Sequence, residues 1–422
     1  MSYSVYNVFS PNSVIESIRD FAGRQEQLEK AATALSMKGA SIVIFGYRGV
    51  GKSSLAQQVR HIAENDEATI SRLPDDLQHN YSFKSFFINA AFGVDDVNGA
   101  LLGFFGDDQD LRKYLPRQLL KAVDDLQLSG SLKVSPVKNM VEVTAGSNLK
   151  HSEETAPIQV DRTIFTAFRS AVLNCSKDIG RELIFFIDEF DKIKHKNGFG
   201  DFMKACEMLP VRFCLVGIAQ DIPSLLADHE SARRLIRDGQ IRVPPMSEAE
   251  QQEIFTGVHE KLDGAYEFSV DARNFIISCS QGHPYIVHKL GHEALLLAKR
   301  RQYKMVTESI ARQALKAITK DPSAFDLESQ FRQAVKDSSH REYVLKAFSK
   351  VDGDEIRTKV VYAKIAEDAE IRRESIPTFV GHLLKEEFGQ PLVKVRHGVY
   401  RFRDRIFKAY CAARPYDFWI DE

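Results

Sequence analysis

The 422-residue sequence has no apolar run near the about 18 residues that a membrane-spanning helix requires. Its first residues lack a basic region followed by an apolar block, so we expect no signal peptide. Cysteine is scarce and forms no C-x-x-C pair, which is typical of buried free thiols in a reducing compartment. The cysteines are Cys175, Cys206, Cys214, Cys279 and Cys411. These absences predict a cytoplasmic protein with no membrane partner.

Excess charge is also absent, because 57 basic residues nearly balance 58 acidic residues and leave a formal net charge of −1. The chain as a whole is therefore no polycation, and any nucleic-acid site must be a local patch. No internal repeat is evident. The hydrophobic content of 44% is ample for a packed core, and the length is typical of two or three domains.

The most informative stretch covers residues 41–55, SIVIFGYRGVGKSSL. An apolar run at 42–45 predicts a buried parallel strand, and apolar residues at helical spacing predict a helix afterwards. Between them lies G-x-x-x-x-G-K-S, whose glycines let backbone N–H groups approach phosphate oxygens. In this setting Lys52 is expected to reach the β- and γ-phosphates, and Ser53 to bind Mg²⁺. We expect the nucleotide to contact Gly46, Gly49, Val50, Gly51, Lys52, Ser53 and Ser54.

A second stretch, residues 183–193 (LIFFIDEFDKI), is a hydrophobic strand that ends in paired carboxylates. We predict that Asp188 holds Mg²⁺ and that Glu189 polarises the attacking water. The Asp-Glu order favours a P-loop ATPase with its catalytic glutamate on this strand and argues against the small-GTPase type. Asp191 is more typical of a cap on the following turn than of a catalyst.

These two motifs and several weaker ones resemble the AAA+ and STAND P-loop ATPases, nearest the initiator-like members that carry a C-terminal winged helix. An F-x-G-R element ends at Arg24, about twenty residues before the first strand, and the resemblance implies that Arg24 lies beside the adenine ring. Gly-His-Pro precedes an apolar helix, which implies that Pro284 packs on the adenine face. His283 is better interpreted as a packed or capping residue.

The same resemblance implies two further catalytic residues. A strand predicted at 211–219 ends before Gln220, which is our candidate for the polar residue that contacts the γ-phosphate, although a simple strand-end residue fits as well. An S-x-x-R segment offers Arg234, or Arg233, as an arginine finger for a neighbouring subunit; a solvated arginine pair is an equal alternative. We find no usual sensor-2 arginine, which favours a slow, switch-like ATPase.

Residues 335–414 predict a separate module of three helices followed by a hairpin about Gly398. This order is typical of a winged helix. Tyr400 and Phe402 interleave with basic residues, as suits a phosphate-lined groove, although modules of this kind in STAND proteins also bind protein. The basic residues are Lys394, Arg396, Arg401, Arg403, Arg405 and Lys408.

The predicted fold is therefore α/β: a P-loop αβα parallel sheet of the ASCE type with a helical lid and a C-terminal winged helix. We predict a lead-in at 1–20, an ATPase core at 21–245, a lid at 246–330 and a winged helix at 335–414. An insertion at 93–160, in which residues 132–143 are a β-hairpin or a mobile arm, contacts a neighbour or a substrate or is a tolerated surface excursion. The predicted activity is Mg²⁺-dependent ATP hydrolysis by a molecular switch with duplex DNA, a protein or further copies of itself as partner.

Overall fold

The computed structural model describes residues 4–11, 13–90, 94–117, 119–120, 123, 161–196, 198–218, 236–320, 326–336, 338–351, 355–368 and 371–414. Four predictions lie outside these ranges: the hairpin at 132–143 and the roles of Gln220, Arg233 and Arg234. Within them, no helix is long and apolar enough to cross a membrane.

The centre of the molecule is a five-stranded parallel sheet. Its strands are β1 (Ile42–Gly46), β2 (Phe83–Asn89), β3 (Glu182–Asp188), β4 (Val211–Ile218) and β5 (Gln240–Val243). They lie in the order β2–β3–β4–β1–β5, so Ile44 of β1 pairs with Val216 on one side and Ile241 on the other. All of β1 is buried, as expected of a parallel strand covered on both faces. The C-terminal ends of the strands consequently meet along one edge.

Helices cover both faces of this sheet because alternate residues of each strand point to opposite sides. The helices of this region are α1 (Gln25–Ser36), α2 (Lys52–Ala63), α3 (Glu67–Ile70), α4 (Val97–Asp107), α5 (Gln109–Arg112), α6 (Arg162–Ile179) and α7 (Phe199–Ala205). Ile42 and Ile44 pack against α1 and α2. Val43 and Phe45 belong to the core that α4, α6 and α7 complete. The predicted αβα layering is confirmed. At the start of the predicted insertion, α4 ends before Asp108, whose side chain caps the following short helix α5.

The lid follows the sheet as a group of helices and one small parallel pair of strands. Its elements are α8 (Glu248–Leu262), β6 (Glu267–Phe268), α9 (Val270–Ser280), α10 (Pro284–Arg300), β7 (Met305–Val306) and α11 (Glu308–Lys320). Phe9, near the N-terminus, is buried against α10. A Cβ on Gly291 of that helix would lie 2.6 Å from the Phe9 ring, so only glycine allows this approach. The N-terminal segment is thus part of the lid core.

The C-terminal module contains the helices and hairpin predicted for it. Its elements are α12 (Asp326–Val335), α13 (Ser339–Ser349), β8 (Ile356–Arg357), α14 (Thr358–Asp368), α15 (Ile376–Leu383), β9 (Leu392–Arg396), β10 (Val399–Phe402) and α16 (Arg405–Ala413). The two-residue strand β8 adds to β10 and makes a three-stranded antiparallel sheet. Buried residues of the lid and this module form one continuous core. The domain boundaries and the name winged helix stay predictions.

The hairpin departs from the predicted alternation at Val395. The pairing shifts there, because Val399 pairs with Arg396 whereas Tyr400 pairs with Lys394, and Val395 is left between them. A bulge of this kind reorients the strand, and Val395 is 42% exposed where we expected it to face the core.

Candidate functional site

A cavity of about 690 Å³ opens where the C-terminal ends of the strands meet the lid and the N-terminal segment. Most of the predicted site residues line it: Arg24, Gly49, Val50, Gly51, Lys52, Ser53, Ser54, Asp188, Glu189 and Pro284. Gly46 is not among the lining residues. A Cβ there would lie 2.5 Å from the Val243 carbonyl oxygen, so Gly46 allows β1 and β5 to pack closely.

The loop between β1 and α2 requires glycine at two positions. Gly49 has φ +74° and Gly51 has φ +94°, which side chains other than glycine rarely adopt. Gly51 is the N-cap of α2 and uses no side-chain cap, so the first N–H groups of this twelve-residue helix are left for a ligand. The helix dipole makes the same end favourable for negative charge. The loop therefore has the geometry of a phosphate cradle.

Lys52 lies inside this loop rather than in solvent. Its Nζ donates a 2.7 Å hydrogen bond to the Tyr47 carbonyl oxygen. Burial lowers the pKa of Lys52 to about 8, against the opposing influence of Asp191, Asp188 and Glu189. An anion in the cavity would restore the preference for the charged ammonium.

The paired acids line the same cavity as the lysine and act electrostatically on it. Asp188 is the last residue of β3, is 5% exposed, and its Oδ1 accepts the Glu189 N–H at 2.8 Å. Glu189 has φ +54°, an uncommon conformation for a residue with a side chain, of the kind that clusters at functional sites. Among the described residues no hydrogen bond engages its carboxylate, which lines the cavity.

Asp191 does not cap the turn as predicted. Its Oδ1 accepts the Ile218 N–H at 2.7 Å, which ties the segment after β3 to the end of β4. Asp191 also lines the cavity beside Lys52. The sequence placed this carboxylate two residues after Glu189, but only the sheet order shows that it meets the adjacent strand.

Arg24 is more deeply built into the site than the resemblance implied. The residue is 4% exposed and in the left-handed conformation, with φ +64°. Its guanidinium donates to the Pro244 carbonyl oxygen at 2.7 Å and to the Val50 carbonyl oxygen at 2.9 Å. Its backbone N–H donates to Glu250 at the start of α8. Arg24 thus joins the glycine loop to the segment that leads into the lid.

The lid closes on the loop through the Gly-His-Pro element. Pro284 begins α10, and its Cγ lies 4.0 Å from where a Cβ on Gly51 would be. Gly282 has φ +84°, and a Cβ there would lie 2.7 Å from Pro245. His283 is buried and makes no side-chain cap, so it is packed rather than capping. Burial lowers its pKa to about 4, assisted by the nearby Arg405.

The N-terminal segment is a part of the site that sequence reasoning missed. Ser54 Oγ accepts the Ile15 N–H at 3.1 Å, and Gln58 Nε2 donates to the carbonyl oxygens of Ile15 and Glu16. Earlier in the same segment, the Ser10 N–H donates to His288 of α10. Residues of the lead-in therefore form part of the cavity wall.

These residues fit a nucleotide with its metal ion. The Ser53 hydroxyl and the buried Asp188 carboxylate line one cavity and are the oxygen ligands that Mg²⁺ accepts alongside phosphate oxygens. Among the described residues no cluster of three histidine, cysteine or acidic side chains could hold a metal unaided. The donor set accordingly suits a metal that arrives with its phosphates.

Residues 20–198 match the family model described as the AAA ATPase domain. The match contains both the glycine loop and the paired acids. The match confirms the predicted AAA+ class for residues 20–198.

The chain is also similar to solved structures at low identity. They include the ORC2 protein of Aeropyrum pernix in ADPNP–ADP complexes (14% identity, 96% of each chain, TM-score 0.48). The ORC1 protein of Aeropyrum pernix in complex with DNA is another (15% identity, 98% of each chain, TM-score 0.45). A third is the Thermotoga maritima RuvB Holliday junction branch migration motor (14% identity, 92% of this chain and 95% of that chain, TM-score 0.40). No curated protein matches the sequence. We transfer no residue role from these structures.

Proposed function

We propose that this protein is a Mg²⁺-dependent ATPase that works as a molecular switch. The observation that carries the proposal is one cavity in which Lys52, Ser53 and the start of α2 face Asp188 and Glu189. Phosphoryl transfer needs little covalent chemistry from a protein, so positioning and charge stabilisation of this kind suffice.

Each side chain has a separate role in the proposed reaction. The backbone N–H groups of 49–53 and the Lys52 ammonium bind the phosphates and stabilise the charge that develops on them. Ser53 and Asp188 hold Mg²⁺, which supplies further charge neutralisation. The Glu189 carboxylate accepts a hydrogen bond from the attacking water and orients it toward the γ-phosphorus. Asp191 fixes the ends of β3 and β4 relative to each other.

Two variants test these roles. Lys52→Ala should abolish or severely weaken ATP binding, measured by calorimetry. Glu189→Gln should still bind ATP but hydrolyse it at least about a hundred-fold more slowly. Lys30→Ala and Glu26→Gln on the exposed face of α1 make the same chemical changes away from the cavity and should alter neither property. Wild-type ATP affinity in Lys52→Ala, or wild-type turnover in Glu189→Gln, would refute the assignment.

We further propose that duplex DNA is the partner of the C-terminal module. Lys394 and Arg403 are exposed on the hairpin, and Arg401 is half-buried beside them. Three other basic residues that we predicted for this surface are engaged elsewhere. Arg396 forms a bidentate ion pair with Glu355 at 3.0 and 2.6 Å. Lys408 is buried and donates to the Val351 carbonyl oxygen. Arg405 lies over the Tyr47 ring.

The remaining patch is small, so DNA contact should be weak and independent of base sequence. Lys394→Ala with Arg401→Ala should lower DNA retention for all sequences and reduce the salt slope by about one per lost phosphate contact. Lys30→Ala with Lys38→Ala removes the same charge from another surface as a control. In the alternative, the module binds protein only. That alternative predicts no filter retention of DNA even at low salt.

The switch is proposed to act through assembly, with Arg234 or Arg233 supplying charge to the ATP of an adjacent copy. Light scattering with and without ATP measures the particle size. An ATP-dependent increase that Arg234→Ala and Arg233→Ala together abolish supports this role. Constant size in ATP contradicts it without affecting the Lys52 and Glu189 assignments.

A further inference from the structure

One histidine of the lid has no role in the chemistry proposed above. His288 lies one turn beyond Pro284 on the same face of α10, because residues four apart are neighbours on a helix. Its ring lines the nucleotide cavity at the end where the N-terminal segment and the lid meet. An adjoining cavity of about 350 Å³ is lined by His288 but not by Lys52 or Pro284. His288 is therefore at the end of the site remote from the phosphate cradle.

The hydrogen bond that His288 already makes fixes its tautomer. The Ser10 N–H donates to His288 Nδ1 at 3.3 Å, so Nδ1 must be unprotonated. The Phe9 ring lies edge-on to the imidazole at 5.9 Å between centroids and holds it in place. Burial lowers the pKa of His288 to about 4, so the ring is neutral at physiological pH. The one ring proton is then on Nε2, which has no partner among the described residues.

An acceptor lies in the same part of the cavity. Asp20 lines both cavities with His288. After burial, the nearby Lys261 further lowers the pKa of His288, and the Asp20 charge acts on it in the opposite direction. One Asp20 oxygen is 2.9 Å from Lys261 Nζ. A carboxylate has about four acceptor positions, so this ion pair leaves capacity for a further donor. The remote end of the site thus presents a fixed donor and a fixed acceptor.

The types of these two groups, one donor and one acceptor, are those that one edge of adenine requires, and guanine differs from adenine on the same edge. Adenine presents an exocyclic N–H₂ donor next to a ring nitrogen acceptor, whereas guanine presents the O6 acceptor where adenine has its amine. A carboxylate facing O6 would leave two acceptors opposed and unsatisfied. We propose that His288 donates from Nε2 to a ring nitrogen of adenine while Asp20 accepts from the 6-amino group. This inference rests on the proposed ATPase function and names the residues that select its base.

The two amides that imitate histidine separate the proposed contact from mere packing. The side chain of Gln reaches about as far as Nε2 and that of Asn only about as far as Nδ1. His288→Gln should therefore retain the base contact and His288→Asn should lose it. Asp20→Asn replaces the acceptor-only carboxylate by an amide that can also donate, for example to O6 of guanine. The probes are ATP, GTP and inorganic tripolyphosphate, titrated by calorimetry into the full chain with a hydrolysis-blocking Glu189→Gln background.

We expect His288→Asn to weaken ATP binding by about three- to tenfold, the worth of one neutral hydrogen bond. His288→Gln should stay within about twofold of the parent, and tripolyphosphate affinity should be equal in all proteins. Asp20→Asn should bring the affinities for GTP and ATP closer together. Parent-like ATP binding by His288→Asn overturns the inference, as does an equal loss for tripolyphosphate, which would show a purely structural role. A parent that binds neither ATP nor tripolyphosphate refutes the ATPase proposal itself.

Discussion

Removal of the Arg24 side chain should uncouple the glycine loop from the lid. The guanidinium makes two hydrogen bonds, to the Pro244 and Val50 carbonyl oxygens, and is 4% exposed. Hydrogen bonds from a charged donor contribute about 1.5–3 kcal/mol each, and burial of the charge offsets part of this sum. Burial lowers the pKa of Arg24, against the opposing influence of Glu250. We therefore assign about 2–3 kcal/mol to the two contacts together.

Nucleotide binding must then restore the arrangement that Arg24 maintains in the free protein. If most of that energy is needed to realign Val50 with the lid, Arg24→Ala should raise the Kd for ATP by about ten- to a hundred-fold. The Kd of Arg24→Lys should lie between those of the parent and Arg24→Ala, since a lysine keeps the charge but lacks the planar guanidinium that reaches two carbonyl oxygens. Calorimetry on the folded variants measures both values.

Arg212 provides a matched control at the opposite end of the sheet. It is 6% exposed, and its guanidinium donates to the carbonyl oxygens of Leu35 and Met37 at the end of α1, both at 2.8 Å. Arg212→Ala should lower the melting temperature as Arg24→Ala does but leave ATP affinity unchanged. Unchanged affinity in Arg24→Ala, or an equal loss in Arg212→Ala, would refute the reasoning.

Three further perturbations follow from buried charges. ATP affinity should be constant just below pH 8 and should fall above pH 8 by up to about tenfold per pH unit. The reason is that Lys52 in the free protein then loses a proton that it retains in the complex. Calorimetry over a pH series tests this prediction. Arg414→Leu removes bonds of 2.8 and 2.9 Å to the buried Glu328, and should cost about 3 kcal/mol in thermal denaturation without changing ATP affinity. Arg405→Ala should alter ATP affinity although Arg405 lies in the C-terminal module, because the substitution removes the guanidinium that packs on the Tyr47 ring. Calorimetry should show a changed ATP affinity for this variant and an unchanged affinity for the Arg414 variant.

The sheet and the phosphate cradle could be predicted because local sequence dictates them. The apolar runs of β1, β3 and β4 leave no alternative to burial, and Gly49 and Gly51 have the conformations that their residue type permits. Element ends could also be predicted where a residue such as Gly51 or Asp188 changes the backbone direction or the polarity. These features depend on neighbours within a few positions of the chain.

The N-terminal wall of the site could not be predicted because its causes are distant in sequence. Residues 4–20 have no apolar periodicity, and their position depends on Ser54, Gln58 and His288. The exposure of Val395 depends on a shift in pairing, which the alternating pattern of β9 does not reveal. The hydrogen-bond partners of Arg24 could not be predicted either, since Val50 and Pro244 come together only when the sheet and the lid fold.

Tyr47 makes the nucleotide loop and the C-terminal module parts of one arrangement. Its carbonyl oxygen accepts from Lys52 Nζ at 2.7 Å, and Arg405, at the start of α16, lies 3.5 Å from the centroid of its ring. From the sequence we expect that replacing Arg396 and Arg401 leaves ATP binding at Lys52 untouched, since the two sites lie in different predicted domains. Arg405 is a different case, because its contact links the module to the loop: a phosphate that attracted Lys52 would remove the donor that holds the Tyr47 backbone. We therefore expect nucleotide binding to be coupled to the C-terminal module through Tyr47, which the Arg405→Ala variant tests.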